Sequence, residues 1–152
     1  MRITILAIGR LRDKPAQALF DEYVKRIAWP VAVREFELRK AVPAGDAKEE
    51  EAKLLLAALD RDAILVALDE RGAEWSSAQL AAKIGHWRDD GVPEIAFAIG
   101  GADGHGAELV RKAAASVAFG RMTWPHRLAR VMLAEQIYRA QQILAGHPYH
   151  RA

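Results

Sequence analysis

The chain has 152 residues, 51% of them hydrophobic and 28% charged, with a formal net charge of +2 and no cysteine. Those proportions exclude a disordered or fibrous chain, and the missing thiols exclude disulfides and thiolate metal sites, which suits a reducing compartment. The length predicts one domain, 1–152, with room for a real core, and the small net charge excludes a general polycation.

Arg2 to Ile8 is an apolar, β-branched run ended by Gly9, and predicts a first strand. It is too short for a signal peptide or a membrane span, so a cytoplasmic protein is expected. Apolar residues at helical spacing (Ala18, Leu19, Tyr23, Val24, Ile27) predict a helix from Pro15 to about Ala28, stopped by Pro30. Val31 to Leu38 alternates apolar and charged residues, as a half-exposed strand near a sheet edge does. Asp46 followed by Glu49 has the spacing of a capping box and opens a helix through Leu59.

Ala63 to Leu68 is uninterrupted apolar sequence, the pattern of a strand buried on both faces, and it runs out in Asp69-Glu70-Arg71-Gly72. Ser76 and Gln79 repeat the cap spacing and start a helix to about Asp89, ended by Gly91. Glu94 to Ile99 predicts another buried strand, leading into the glycine-rich loop Gly100 to Gly106. A short helix and a brief strand, Ser116 to Phe119, follow. Pro125 suits a first helical position, and the last helix should run to Ala145 before Gly146. Its apolar stripe is Leu128, Val131, Met132, Ile137, Ile143 and Leu144, and Glu135 and Arg139 are spaced as an i,i+4 pair. Strands alternating with helices predict an α/β fold with a mostly parallel sheet.

In such sheets ligands collect beyond the carboxyl ends of the strands. Three such ends stand out: Leu68 to Gly72, the loop from Gly100, and the aromatic and basic stretch from Phe119 to Arg130. The glycine loop is neither a GxGxxG fingerprint, since position 102 is alanine, nor a GxxxxGK phosphate loop. No serine sits in a G-x-S-x-G elbow. His147 and His150 have a metal-like spacing but no carboxylate near them in sequence, so no metal is expected. Basic residues outnumber acidic ones from residue 108 onward, whereas acidic residues dominate 40–74, which points to a local anionic partner. The tail His147-Pro148-Tyr149-His150-Arg151 has side chains suited to stacking on an unpaired base and contacting its phosphate.

Met122-Thr123-Trp124-Pro125-His126, Arg130, Glu135-Gln136, Tyr138-Arg139-Ala140, Gly146 and Pro148-Tyr149-His150 together resemble the C-terminal signature of the RlmH family. This is a family of bacterial ribosomal RNA large-subunit methyltransferases within the SPOUT superfamily. Leu68 to Gly72 and Ile99-Gly100-Gly101 resemble its two upstream motifs, so the likeness spans the whole chain. It implies a single-domain α/β knot, with a cofactor-binding trefoil from about residue 94 to 152. It also implies a homodimer that holds S-adenosyl-L-methionine.

By position, Leu68, Gly100, Gly101, Arg121, Met122, Thr123, Trp124, Pro125 and His126 are expected around the cofactor. The implied substrate is a pseudouridine in helix 69 of 23S rRNA, methylated at N3 in the assembled ribosome. Tyr149, His150 and Arg139 are expected to act on the target nucleotide across the dimer interface, with Arg130 and Arg151 meeting the RNA. His150 is a candidate base and Glu135 a weaker one. Relatives in the family commonly carry serines before the Met122 position, where this chain has Ala118 and Gly120, leaving backbone groups to make any contact there. Two other readings remain open: a SPOUT methyltransferase of another RNA, and a non-catalytic ribosome- or RNA-binding factor of the same fold. No membrane is involved in any of them.

Overall fold

The computed structural model describes residues 1–43 and 45–150 (for His150, the backbone). Arg151, expected to meet RNA, lies outside the described residues, as does the side chain of His150. Five strands form one sheet in the order β2-β1-β4-β3-β5: β1 (Arg2–Ile8), β2 (Val31–Phe36), β3 (Ala63–Glu74), β4 (Glu94–Ile99) and β5 (Ala115–Ala118). All four pairings are parallel, so every strand delivers its carboxyl end to the same edge. Helices α1 (Lys14–Arg26), α3 (Ser77–Asp89) and α5 (His126–Leu144) cover one face. Helices α2 (Ala47–Ala57) and α4 (Ala107–Lys112) cover the other.

The period of two along a strand explains how one sheet serves both layers. On β1, Ile3, Ile5 and Ala7 join Phe20, Ile84, Phe97 and Ile137 in the larger core. Leu6 and Ile8 point the other way, to Leu55, Ala96, Ala98 and Leu109. β4 is buried along its whole length, and β2 is the half-exposed edge strand that its alternating sequence predicts.

The predicted cap at Ser76 forms in full: Ser76 Oγ accepts from Gln79 N at 3.1 Å, and Gln79 Oε1 accepts from Ser76 N at 2.8 Å. The predicted box at Asp46 does not form. Asp46 has helical backbone angles, which aim its carboxylate away from the first turn, and it makes no side-chain cap bond. Glu49 instead accepts from Ala107 N at 3.1 Å, so it caps the start of α4.

The largest departure is in β3. Its second half was expected to be a loop, but the strand continues to Glu74. Leu68 and Ala73 both pair with Val117 of β5, so residues 69–72 leave the ladder and return to it. Gly72 makes that return possible. A Cβ there would lie 2.6 Å from the Ser116 carbonyl carbon and the Val117 nitrogen, where no side chain fits.

The last helix is as long as expected, but Pro125 is its cap and not its first residue. Its buried stripe also differs. Leu133, Ala134 and Ala140 join Val131 and Ile137 inside, while Leu128 is exposed. The expected Glu135–Arg139 pair is present at 2.6 Å.

Candidate active site

The carboxyl ends of β3, β4 and β5 open onto a cleft of about 350 Å³, a size suited to a small organic ligand. Each of the three strand-end stretches marked in the sequence supplies a wall: Leu68 to Arg71, Ile99 to Gly104, and Val117 to His126 in part. Of the residues expected around a cofactor, Leu68, Gly100, Gly101, Met122, Thr123, Trp124 and His126 line the cleft. Arg121 and Pro125 belong to the same loop but do not line it. Ala118 and Gly120 do, so the wall they form offers backbone groups and no hydroxyl.

Local bonds set the shape of each wall. The glycine loop is a tight turn closed by Gly104 N to Gly101 O at 3.1 Å, and Gly104 has φ +79°, a left-handed conformation that glycine adopts without strain. Gly100 is packed so closely that a Cβ would come 2.8 Å from the Gly104 carbonyl oxygen. On the opposite wall, Trp124 Nε1 donates to Phe119 O at 2.9 Å and folds residues 119–124 back on themselves. Thr123 Oγ1 donates to Glu70 Oε2 at 3.4 Å, joining that loop to the segment after Leu68. Met122, 75% exposed, and Trp124 present apolar surface to solvent around the cleft.

His105 was not singled out by the sequence, and it supports the floor. It is 3% exposed, with Nε2 3.2 Å from Ala98 O and its ring against Gly100. Burial pushes its pKa down, opposed by the Ala98 carbonyl and the charge of Asp69, so it sits as a neutral wedge under the turn. Only the packing of the loop reveals this role. Behind Gly101 lies Glu51, whose carboxyl is pushed up by burial and then by Asp103. Asp69, Glu70 and Asp103 line the cleft and face Lys48 and Arg71, with Arg71 drawn to Asp69 at 3.5 Å. Glu70 and Asp103 make the lining acidic enough to favour a cationic ligand, and apolar and backbone groups supply the rest. That donor set fits a sulfonium cofactor carrying an adenine, and offers little to a phosphate.

The residues expected to handle a nucleotide lie elsewhere. Arg139 is about 20 Å further along α5 than His126, at 1.5 Å per residue. There it forms a cluster with Glu135, Tyr138, Tyr149 and, through Tyr138, Tyr23. Tyr149, from the short 3₁₀ turn Pro148–His150, stacks edge-on against Tyr138 at 4.7 Å. Its hydroxyl donates to Glu135 Oε1 at 3.3 Å, and the Arg139 guanidinium lies 5.0 Å from its ring centre. Burial first, then the Glu135 charge, push the Tyr149 pKa up to about 12, so the hydroxyl is a donor and not a base. Glu135 is the hub of this cluster, bound at once by Arg139, Gln136 and Tyr149.

Arg130 is placed differently again. Its guanidinium is buried and held by Glu35 and the Gly9 carbonyl, so in this fold it is a structural cation and not one presented to RNA. No group of three or more metal-ligating side chains occurs among the described residues. No helix among the described residues is long and apolar enough to cross a membrane.

A second groove, of about 560 Å³ and mostly apolar, lies between α1, α3 and α5. Leu19, Tyr23, Trp75, Val131 and Met132 line it, and Glu135 belongs both to it and to the tyrosine cluster. Val117 to Gly120 line both hollows, so a single β5 wall separates the first cleft from the groove.

Comparison with known proteins identifies the family. A family model described as predicted SPOUT methyltransferase matches residues 1–150. Over 152 residues, and over the full length of both chains, the sequence is 57% identical to the ribosomal RNA large subunit methyltransferase H of Rhodospirillum centenum. It is 49% identical to that of Rhodospirillum rubrum, again over both full lengths. Against that of Nitrobacter hamburgensis it is 51% identical over 160 residues, covering 99% of each chain. With the three strand-end motifs gathered at one cleft and the likeness running end to end, the chain belongs to the SPOUT methyltransferases and, among them, to the ribosomal RNA large subunit methyltransferase H family.

Proposed function

We propose that this chain transfers a methyl group from S-adenosyl-L-methionine to N3 of a pseudouridine in helix 69 of 23S rRNA, acting as a homodimer on the assembled ribosome in the cytoplasm. The observation that carries the reading is the convergence of Leu68, Gly100, Gly101 and the 119–126 loop on one acidic, partly apolar cleft. S-adenosylmethionine, when bound, supplies an electrophilic methyl on a sulfonium. The chain's part is to hold and orient. The turn from Gly100 to Gly104 and the backbone of 118–124 would grip the cofactor, with Asp103 and Glu70 favouring its positive charge. We also propose the trefoil knot for this chain, a reading that its membership of the SPOUT methyltransferases supports.

The homodimer follows from a mismatch of positions. Tyr149 and Arg139 would hold the target nucleotide, yet in one protomer they sit well away from the cleft, at the far end of α5. The apolar groove between α1, α3 and α5 adjoins them and shares a wall with the cleft. A second copy seated on that face would bring its own Tyr149 and Arg139 toward the first copy's cofactor. His150 and Arg151 would complete that nucleotide site. The uracil-like N3–H is weakly acidic, and Tyr149, with its raised pKa and its hydroxyl hydrogen held by Glu135, is not the acceptor of that proton.

The test is methyl transfer from labelled S-adenosylmethionine to intact ribosomes, free 23S rRNA and tRNA, with nucleoside mass spectrometry locating the product. N3-methylpseudouridine formed in helix 69 on intact ribosomes is expected. Transfer to tRNA alone would point to another RNA, and calorimetry showing no cofactor binding would leave a non-catalytic factor.

A further inference from the structure

A rim beside the cleft carries four cations against one weakly paired acid, Glu37. β1 and β4 pair in register from Arg2–Glu94 to Ala7–Ile99, so the loop after Ile8 leaves the sheet at the same edge as the glycine turn. β2 lies on the other side of β1 and sends its chain out there too. Arg10 and Arg12 come from the first of these loops, Arg39 and Lys40 from the second, and all four are exposed.

Two of the acids around them, Glu35 and Asp13, are engaged elsewhere. Glu35 is bound by Arg130 at 2.5 Å and by the Leu11 N–H at 2.7 Å. Asp13 caps α1 through Ala16 N at 2.9 Å and holds Arg127 at 2.7 Å. Glu37 meets Arg10 and Arg12 only at 3.9 and 3.7 Å, with both arginine side chains at least two-thirds exposed, the geometry of a weak solvated pair. Among the described residues no ion pair involves Arg39 or Lys40.

We propose that Arg10, Arg12, Arg39 and Lys40 form a phosphate-binding rim that takes the RNA backbone on the β1–β2 side of the cofactor cleft. This rests on the reading of the chain as an RNA methyltransferase. β2 and β4 are two strand spacings apart, roughly 10 Å, so the rim begins within a few nucleotides of a base held in the cleft. Contacts to phosphate fix register without reading sequence, which leaves selection of the base to the cleft and the tail.

The experiment is cosedimentation of the full-length protein with purified 70S ribosomes across a salt series, with S-adenosylmethionine calorimetry on every variant. The double variant Arg10→Glu/Arg12→Glu is expected to lose ribosome affinity on the order of a hundredfold at 0.1 M salt and to lower the salt slope by about two. Arg10→Lys/Arg12→Lys should stay near wild type, and Glu37→Gln should bind several-fold tighter, a gain that misfolding cannot imitate. Charge reversal that leaves affinity and slope unchanged would overturn the rim. So would a reversal that weakens binding to ribosomes but not to naked 23S rRNA, because the contact would then be to acidic ribosomal protein. If wild type bound ribosomes but no S-adenosylmethionine, the methyltransferase reading would fail while the salt series still reported on the rim.

Discussion

Arg130, near the start of α5, reaches across to β2 and binds Glu35 with an N–O distance of 2.5 Å, and its second amino group donates to the Gly9 carbonyl at the end of β1. One buried cation thus ties the helix that follows the cofactor loop to two strand ends. Burial alone would push the Glu35 carboxyl up. The Arg130 hydrogen bond, the Leu11 N–H and the charges of Arg130 and Arg10 together hold it below the usual carboxylate range.

Replacing Arg130 by methionine keeps much of the volume and leaves Glu35 without its main partner. Breaking a fully buried pair costs about 3–5 kcal/mol, and Glu35 is a third exposed, so a loss of roughly 2–3 kcal/mol is expected in urea unfolding. The sign with pH follows from the lowered pKa. The contribution is fully present above the unfolded carboxylate value, about 4.3, and is lost as pH falls through the folded value. Wild type should therefore lose stability in acid more steeply than Arg130→Met, and parallel curves would refute the assignment.

The Trp124 indole bond to Phe119 O closes the loop that walls the cleft. Trp124→Phe keeps an aromatic ring and removes the donor. A lost hydrogen bond of about 1 kcal/mol predicts a cofactor dissociation constant raised about fivefold by calorimetry, with little change in unfolding midpoint.

Gly100 and Gly101 are adjacent but not equivalent. A Cβ on Gly100 meets the Gly104 backbone oxygen at 2.8 Å and the His105 ring at 3.2 Å, neither of which can move without reshaping the turn. A Cβ on Gly101 meets the carboxylate oxygens of Glu51, the end of a side chain that can swing away. Overpacking of about 1–3 kcal/mol at Gly100→Ala corresponds to a loss of cofactor affinity from about fivefold to a hundredfold, and Gly101→Ala should lose less. Equal losses would mean that the turn is not what shapes the cleft.

The Tyr149 hydroxyl should stay protonated well above pH 10, because its pKa in the fold is about 12. A raised folded pKa gives stability that is fully present below the unfolded value of about 10 and is lost as pH rises through the folded one. Ultraviolet titration should show one phenolate appearing late, and Tyr149→Phe should remove that late step while keeping the stack on Tyr138.

Truncation after Gly146 removes Tyr149 and the residues beyond it but none of the cleft lining. Cofactor binding should remain largely intact and methyl transfer to ribosomes should vanish. A truncated protein with full activity would show that the tail does not handle the nucleotide.

Much of this architecture was legible in the one-dimensional pattern. The apolar runs Ala63–Leu68 and Ile95–Ile99 have the pattern of strands covered on both faces, and the alternation in Val31–Phe36 marks an edge. The Ser76–Gln79 cap and the Glu135–Arg139 pair are short-range and form as their spacing predicts, whereas the same spacing at Asp46–Glu49 yields to a distant partner. The three ligand-facing loops were legible for a similar reason: glycine, tryptophan and histidine at strand ends have few purposes in a parallel sheet.

Tertiary structure decided what depends on distant partners. Glu49 abandons its own helix for Ala107, Gly72 lets β3 rejoin β5 after a bulge, and His105 turns inward beneath Gly100, each through a neighbour more than thirty residues away or a packed backbone that local sequence does not announce. Arg130 is the clearest case. Its position in the chain suggests a basic residue facing RNA, but a helix turn points it at Glu35 and Gly9, and a buried guanidinium must take the acceptors it finds there. The same bond engages Glu35, so Arg10 and Arg12 are left with Glu37 at 3.9 and 3.7 Å.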